Sequence, residues 1–179
     1  PVYWSGKPCD IDLIEEIASR HNLAIIADAC HGIMATYKGQ KIGGRGTTAC
    51  YSFHPLKNLN VWGDGGIITT NSKEIANKLR LLRNHGLISR DECQIFGYNS
   101  RLDTVQAVIA RHMLKKIEFI TSSRVKNAAS LDLKLKNISQ IRIPHREDHI
   151  FQVYHLYIIL CENRNDLQKY LISNGIDAK

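Results

Sequence analysis

Residues Leu23–Ala29 read LAIIADA, apolar at six of seven positions and bounded by polar residues. A strand with one wet face alternates, whereas one that is apolar throughout is covered on both faces, as in a parallel sheet flanked by helices. TTACYSF, Thr47–Phe53, and GGIITT, Gly65–Thr70, are two further strand candidates. The elements between them are helical. Asp10 is placed to cap a helix whose Ile11, Ile14, Ile17 and Ala18 share one face and which ends near Asn22. Asn71 with Glu74 forms a capping-box pattern for a helix closed by Gly86. Asp103 with Gln106 opens a long helix with Val105, Val108, Ile109, Leu114 and Ile117 as its inner residues, running to about Leu135 with a break near Thr121–Ser123.

Beyond Pro144 the period becomes strand-like in FQVYHLYIIL, and a last helix, Asn163–Asn174, ends at Gly175. Helix and buried strand in alternation define an α/β fold with a mainly parallel sheet. Residues 1–120 are expected to form one unit and residues 121–179 a linking helix and the start of a smaller α+β unit.

The chemistry gathers where these strands end. Asp28 closes the most apolar strand, at the edge of an open sheet where ligands bind. His31 follows in the turn, and Ser52 and Lys57 stand at the end of the next strand. Taken singly, Asp28 reads as a loop carboxylate and Lys57 as a surface lysine. Together, a carboxylate and a lysine at adjacent strand ends are what a pyridoxal phosphate (PLP) site requires: the lysine condenses with the aldehyde, and the carboxylate keeps the ring nitrogen protonated.

DACH, SFHPLK and GDGG in that order, followed by LRLLRNHG and GYNSR, resemble the DegT/StrS family of sugar aminotransferases over nearly the whole chain. The resemblance implies a fold of type I, that of aspartate aminotransferase, with PLP as cofactor. It implies an amino group moved, typically from glutamate, to a keto-sugar carried on a nucleotide. Lys57 is then the Schiff-base lysine and proton shuttle, and Asp28 the partner of the pyridinium. His31, where many relatives carry glutamine, bonds the ring hydroxyl, and Ser52 the cofactor phosphate. Asn99 reaches the phosphate in the neighbouring subunit, since this family builds its sites across a homodimer interface. Gly63, Gly65 and Gly66 form a tight turn behind the lysine; Asp64 stands where glutamate is common. His54 has no assigned role beyond packing or hydrogen bonding.

The family's phosphate-binding turn and ring-stacking aromatic have no counterpart before Asp28, and the chain does not begin with methionine. The expectation is a central-to-C-terminal piece of a longer enzyme, inactive alone. Its sheet should then leave apolar side chains near Leu23–Ala29 without partners in the chain, and Asn99 should lie far from Lys57.

The remaining composition removes other classes. The net charge of +7 is scattered over helical patterns, aromatics are only 7% of residues, and solvated helix faces explain it better than a nucleic-acid surface. No G-x-G-x-x-G follows a first strand, which argues against a nicotinamide-binding domain. No apolar run reaches membrane-spanning length, and the N-terminal residues lack a signal-peptide pattern. Five cysteines without a CxxC pair suit free thiols in a reducing cytoplasm. No metal site is expected. Two rivals stay within the fold: a PLP-dependent sugar dehydratase, against which Lys57 argues because those relatives carry histidine there, and a non-catalytic regulatory or binding homologue, against which the intact Asp28, His31, Ser52 and Lys57 argue.

Overall fold

A computed structural model describes residues 1–179. In chain order the elements are α1 (Ile11–Arg20), β1 (Ile26–Asp28), β2 (Thr36–Tyr37), β3 (Gln40–Lys41), β4 (Thr48–Ser52), β5 (Gly66–Thr69), α2 (Lys73–Leu82), α3 (Thr104–Leu114), α4 (Ile117–Leu135), β6 (Ile141–Arg142), β7 (Ile150–Phe151), β8 (Leu160–Cys161) and α5 (Arg164–Ser173).

The central sheet runs β1–β4–β5. β1 and β4 are parallel, with Asp28 opposite Cys50. Residues 1–3 lie along the other side of β1: the Tyr3 N–H donates to Asp28 O at 2.9 Å and the Asp28 N–H to Pro1 O at 2.8 Å. β5 departs from the parallel expectation and pairs antiparallel with β4. The reason is local. Residues 53–65 contain no crossover helix, and a chain that does not cross over can only fold back beside its own strand.

The apolar run is covered on one face only. Ala27 and Ala29 are fully buried in a cluster with Tyr3, Ile11, Ala18 and Val153. Leu23 is 61% and Ile26 67% exposed, lining a recess with Ile14 and Ile17. Apolar side chains without partners are therefore present where they were expected.

α1 follows its pattern, with Ile11 and Ala18 buried, but Asp10 does not cap it by side chain; its carboxylate accepts the Tyr37 hydroxyl at 2.7 Å. The cap of α2 is Ser72 rather than Asn71, its Oγ accepting the Ile75 N–H at 3.2 Å. The long helix breaks earlier than predicted. At Lys115 and Lys116 the backbone N–H groups bond to His112 O and Met113 O, an i→i−3 pattern that tightens and ends the turn. Helix α4 then runs unbroken through Thr121–Ser123, where the Ser122 hydroxyl bonds back to Phe119 O. Of the five inner residues only Ile117 is buried; Val105 is 72%, Val108 61% and Leu114 52% exposed.

FQVYHLYIIL is not a strand. β7 adds to β2 at its start, β8 pairs with β6 at its end, and between them Tyr154 takes φ +47°, a left-handed conformation that ends ladder pairing. The start of this segment pairs with Thr36 and Tyr37, so the β2–β7 ladder joins residues 1–120 to residues 121–179. No helix is long and apolar enough to cross a membrane.

Candidate active site

Parallel pairing of β1 with β4 brings their C-terminal ends side by side, so Asp28 and Ser52 emerge from the same edge of the sheet. The Asp28 carboxylate is exposed, and its Oδ1 accepts the Cys30 N–H at 3.0 Å. The Cys30 contact, with smaller contributions from nearby His31 and from the Lys57 charge, holds its pKa below the usual carboxylate value. A carboxylate kept ionised and open is suited to a cationic partner. The adjoining Cys30 thiol is pushed the other way, to about 11, by burial and by Asp28. It stays a thiol at neutral pH.

Lys57 reaches this edge on a loop anchored by its neighbours. The His54 carbonyl accepts the Lys57 N–H at 2.8 Å. Asn58, Leu59 and Val61 are buried, and the Asn58 side chain donates to Val153 O at 3.1 Å. The loop is thus pinned on both sides of a half-buried lysine. His54 braces the start of this loop, its N–H donating to Ser52 Oγ and its Nδ1 accepting the Leu56 N–H, both at 3.2 Å. The glycines after Lys57 act by closeness rather than by left-handed geometry. A Cβ at Gly65 would meet Leu102 Cδ1 at 2.8 Å and one at Gly66 would meet Tyr51 O at 2.7 Å. The left-handed residue of this turn is Trp62, φ +61°.

His31 is held from behind. Its Nδ1 accepts the Ser5 N–H at 3.3 Å, and its ring stacks on His155 with centroids 4.2 Å apart and lies 5.2 Å from Trp4. Burial and the Lys57 charge lower its pKa, with Asp28 opposing, so the ring is neutral at pH 7. The Lys57 charge acts on Asp28, Cys30, His31 and His155 alike.

Asn99 is elsewhere. It is exposed on a loop paired with Asn84 at the end of α2. Beside it Phe96 is fully exposed and Tyr98 70% exposed. Sequence reasoning missed Ser5, Asn58 and His155. WSG (Trp4–Gly6) and VYHLY (Val153–Tyr157) carry no recognisable period, and what joins them is tertiary.

An open parallel edge that starts a carboxylate, a histidine, a serine and a lysine has the residue types that suit an electron-accepting cofactor with an anionic group. The whole chain, residues 1–179, matches the DegT/DnrJ/EryC1/StrS aminotransferase family, and it belongs to that family. It is 37% identical over 178 residues to the dTDP-3-amino-3,4,6-trideoxy-alpha-D-glucose transaminase of Streptomyces venezuelae, covering 99% of this chain and 47% of that protein. It is 39% identical over 178 residues to a pleiotropic regulatory protein of Geobacillus stearothermophilus, covering 98% of this chain and 48% of that protein. The crystal structure of S. venezuelae DesV in complex with a ketimine intermediate superposes with a TM-score of 0.95 at 37% identity, over 99% of this chain and 48% of that one. The chain has the type I PLP-transferase fold of these relatives and spans about half their length.

Proposed function

We propose that the protein carrying this chain is a PLP-dependent aminotransferase that moves an amino group, from glutamate, to a nucleotide-linked keto-sugar. The observation that carries this reading is the parallel register of β1 and β4, which starts Asp28, the following turn with His31, and the chain through Ser52 to Lys57 from one edge of the sheet.

The donor set fits PLP. Asp28, ionised and open, suits a protonated ring nitrogen. With Nδ1 of His31 taken by the Ser5 N–H, its Nε2 carries the proton and donates to an oxygen. The Ser52 hydroxyl is left to donate to a phosphate, since Oγ only accepts from His54. When bound, PLP supplies an aldehyde that captures amines and a ring that takes up the electron pair left at the substrate carbon. The chain does the rest: Lys57 holds the cofactor and carries the proton between carbons, Asp28 and His31 fix the two edges of the ring, and the core-anchored loop keeps Lys57 aimed.

The protein is further read as a cytoplasmic homodimer with sites shared across the interface, Asn99 reaching the partner's cofactor phosphate. Supporting this are Asn99 on an exposed loop, the exposed apolar side chains of Phe96, Val105 and Val108, and five free cysteines. Residues 1–120 are read as part of the cofactor-binding domain and residues 121–179 as the link to a smaller one.

The test is to add PLP to the intact protein and follow its visible absorbance, then to assay nucleotide keto-sugars with glutamate. A yellow band that disappears in Lys57→Ala, together with transfer to one sugar of the panel, is the expected result. A protein that takes up no PLP overturns the reading. One that binds PLP and transfers to no sugar points to the regulatory alternative, which the Geobacillus relative's name keeps in view.

A further inference from the structure

We propose that His155, distant in sequence from Asp28, His31, Ser52 and Lys57, is a positioning residue of this site: its ring backs His31 and holds it in the tautomer that carries the proton on Nε2. The tautomer follows from Ser5. A backbone N–H pointing at His31 Nδ1 at 3.3 Å requires that nitrogen to be the acceptor, which leaves the ring proton on Nε2. One hydrogen bond of that length leaves an imidazole free to rock about it. The His155 ring lies 4.2 Å away, tilted by 40°, and the Trp4 ring 5.2 Å away, so two aromatic rings crowd the imidazole and restrict that motion.

The fold spends several unusual features on this contact. Ser5 at φ +58° and Tyr154 at φ +47° are left-handed without being glycine; Ser5 supplies the N–H that His31 accepts, and Tyr154 immediately precedes His155. Strain of this kind persists only where the surroundings impose it, and it concentrates at functional sites. The surroundings here are explicit. Gln152 Nε2 donates to Ser5 Oγ, the Val153 N–H to Gly6 O, and Arg124 Nη1 to the carbonyls of Tyr154 and His155. Gly6 permits the approach, since a Cβ there would lie 2.9 Å from His31 O and 3.1 Å from the His155 N–H nitrogen.

His155 Nδ1 is itself buried with no hydrogen-bond partner in the protein. The charged groups acting on the pair are Lys57 and Arg124, both cationic, and Asp28. Burial first, then His31, Lys57 and Arg124, lower the His155 pKa to about 4, so both rings are neutral near pH 7 and two stacked imidazoles do not repel.

The use made of the Nε2 donor rests on the PLP reading; the tautomer and its dependence on His155 do not. Ring-nitrogen NMR shifts of His31, recorded on the intact protein before and after adding PLP, test the two separately. The wild type should show a single Nε2–H form without PLP. His155→Phe, which keeps an aromatic face, should retain it. His155→Leu, of similar bulk without a ring, should give a mixture of tautomers and bind PLP about fivefold more weakly, the loss of one well-aimed hydrogen bond. A wild-type proton on Nδ1, or a Leu variant indistinguishable from wild type, overturns the proposal. A Phe variant as disordered as Leu also overturns it, because the aromatic face would then not be the cause. Absence of PLP uptake by the wild type, with the tautomer pattern intact, removes the PLP reading alone.

Discussion

Asp28 stands directly opposite Cys50 in the parallel ladder, so the carboxylate and the chain leading to Ser52 and Lys57 leave the sheet together. Everything proposed for this cleft depends on that register. A slip of one residue would turn Asp28 to the other face of the sheet.

Lys57→Ala should abolish the visible PLP band and lower transamination by at least about 10²–10⁴-fold, the range for loss of a positioned proton-transfer group. Stability should change by no more than about 0.5 kcal/mol, because the loop is anchored by Asn58, Leu59 and Val61 rather than by the lysine. Absorbance and urea melts measure the two effects. Substantial turnover by the variant would mean another lysine is used.

Asp28→Asn keeps an oxygen able to accept the Cys30 N–H, so the turn should survive. PLP should still bind, while kcat falls roughly a hundredfold, since a neutral amide cannot hold the ring nitrogen protonated. Steady-state kinetics decide it, and wild-type speed would remove Asp28 from the mechanism.

Gly6→Ala forces a Cβ to within 2.8 Å of Val153 Cγ2 and 2.9 Å of His31 O, at a φ of +88° that side chains rarely adopt. A loss of about 1–3 kcal/mol is expected from overpacking together with backbone strain. Chemical denaturation reads the loss, and an unchanged midpoint would show that the Val153 segment is not seated as described.

Val108→Asp places a charge on an exposed helix position, so it should leave the fold intact. If that surface joins two copies, the charge should shift the protein toward monomer and lower activity with it. Sedimentation at several concentrations checks this; an undisturbed dimer would place the interface elsewhere.

Acidification should weaken the fold in two stages. The first comes from His155, whose pKa is depressed by burial from 6.5 to about 4. Between those values the unfolded chain binds a proton that the folded chain refuses, so stability falls as pH drops from about 6.5 to about 4. The second comes from Asp12, held near 2 by Arg45 and Lys38; its contribution is present above 3.8 and is lost as pH falls toward about 2. Melting temperatures against pH, in wild type and His155→Phe, should show the first stage reduced in the variant and the second unchanged. An identical profile in both would mean His155 is not buried neutral.

What was legible in the sequence was local. The apolar run, the helix starts within a residue or two, and the order Asp28, His31, Ser52, Lys57 depend on neighbours in the chain, and periodicity and capping report neighbours. Tertiary structure decided the rest. Whether β5 ran parallel depended on the path of residues 53–65, and the apolar positions of α3 revealed only a face, not whether this chain covers it. The His31–His155 stack joins positions far apart in sequence, through a strained Tyr154 inside a stretch whose composition reads as strand. Composition sets what a residue prefers locally; the closing of a long loop, and the contacts that hold a side chain against its preference, are properties of the folded chain alone.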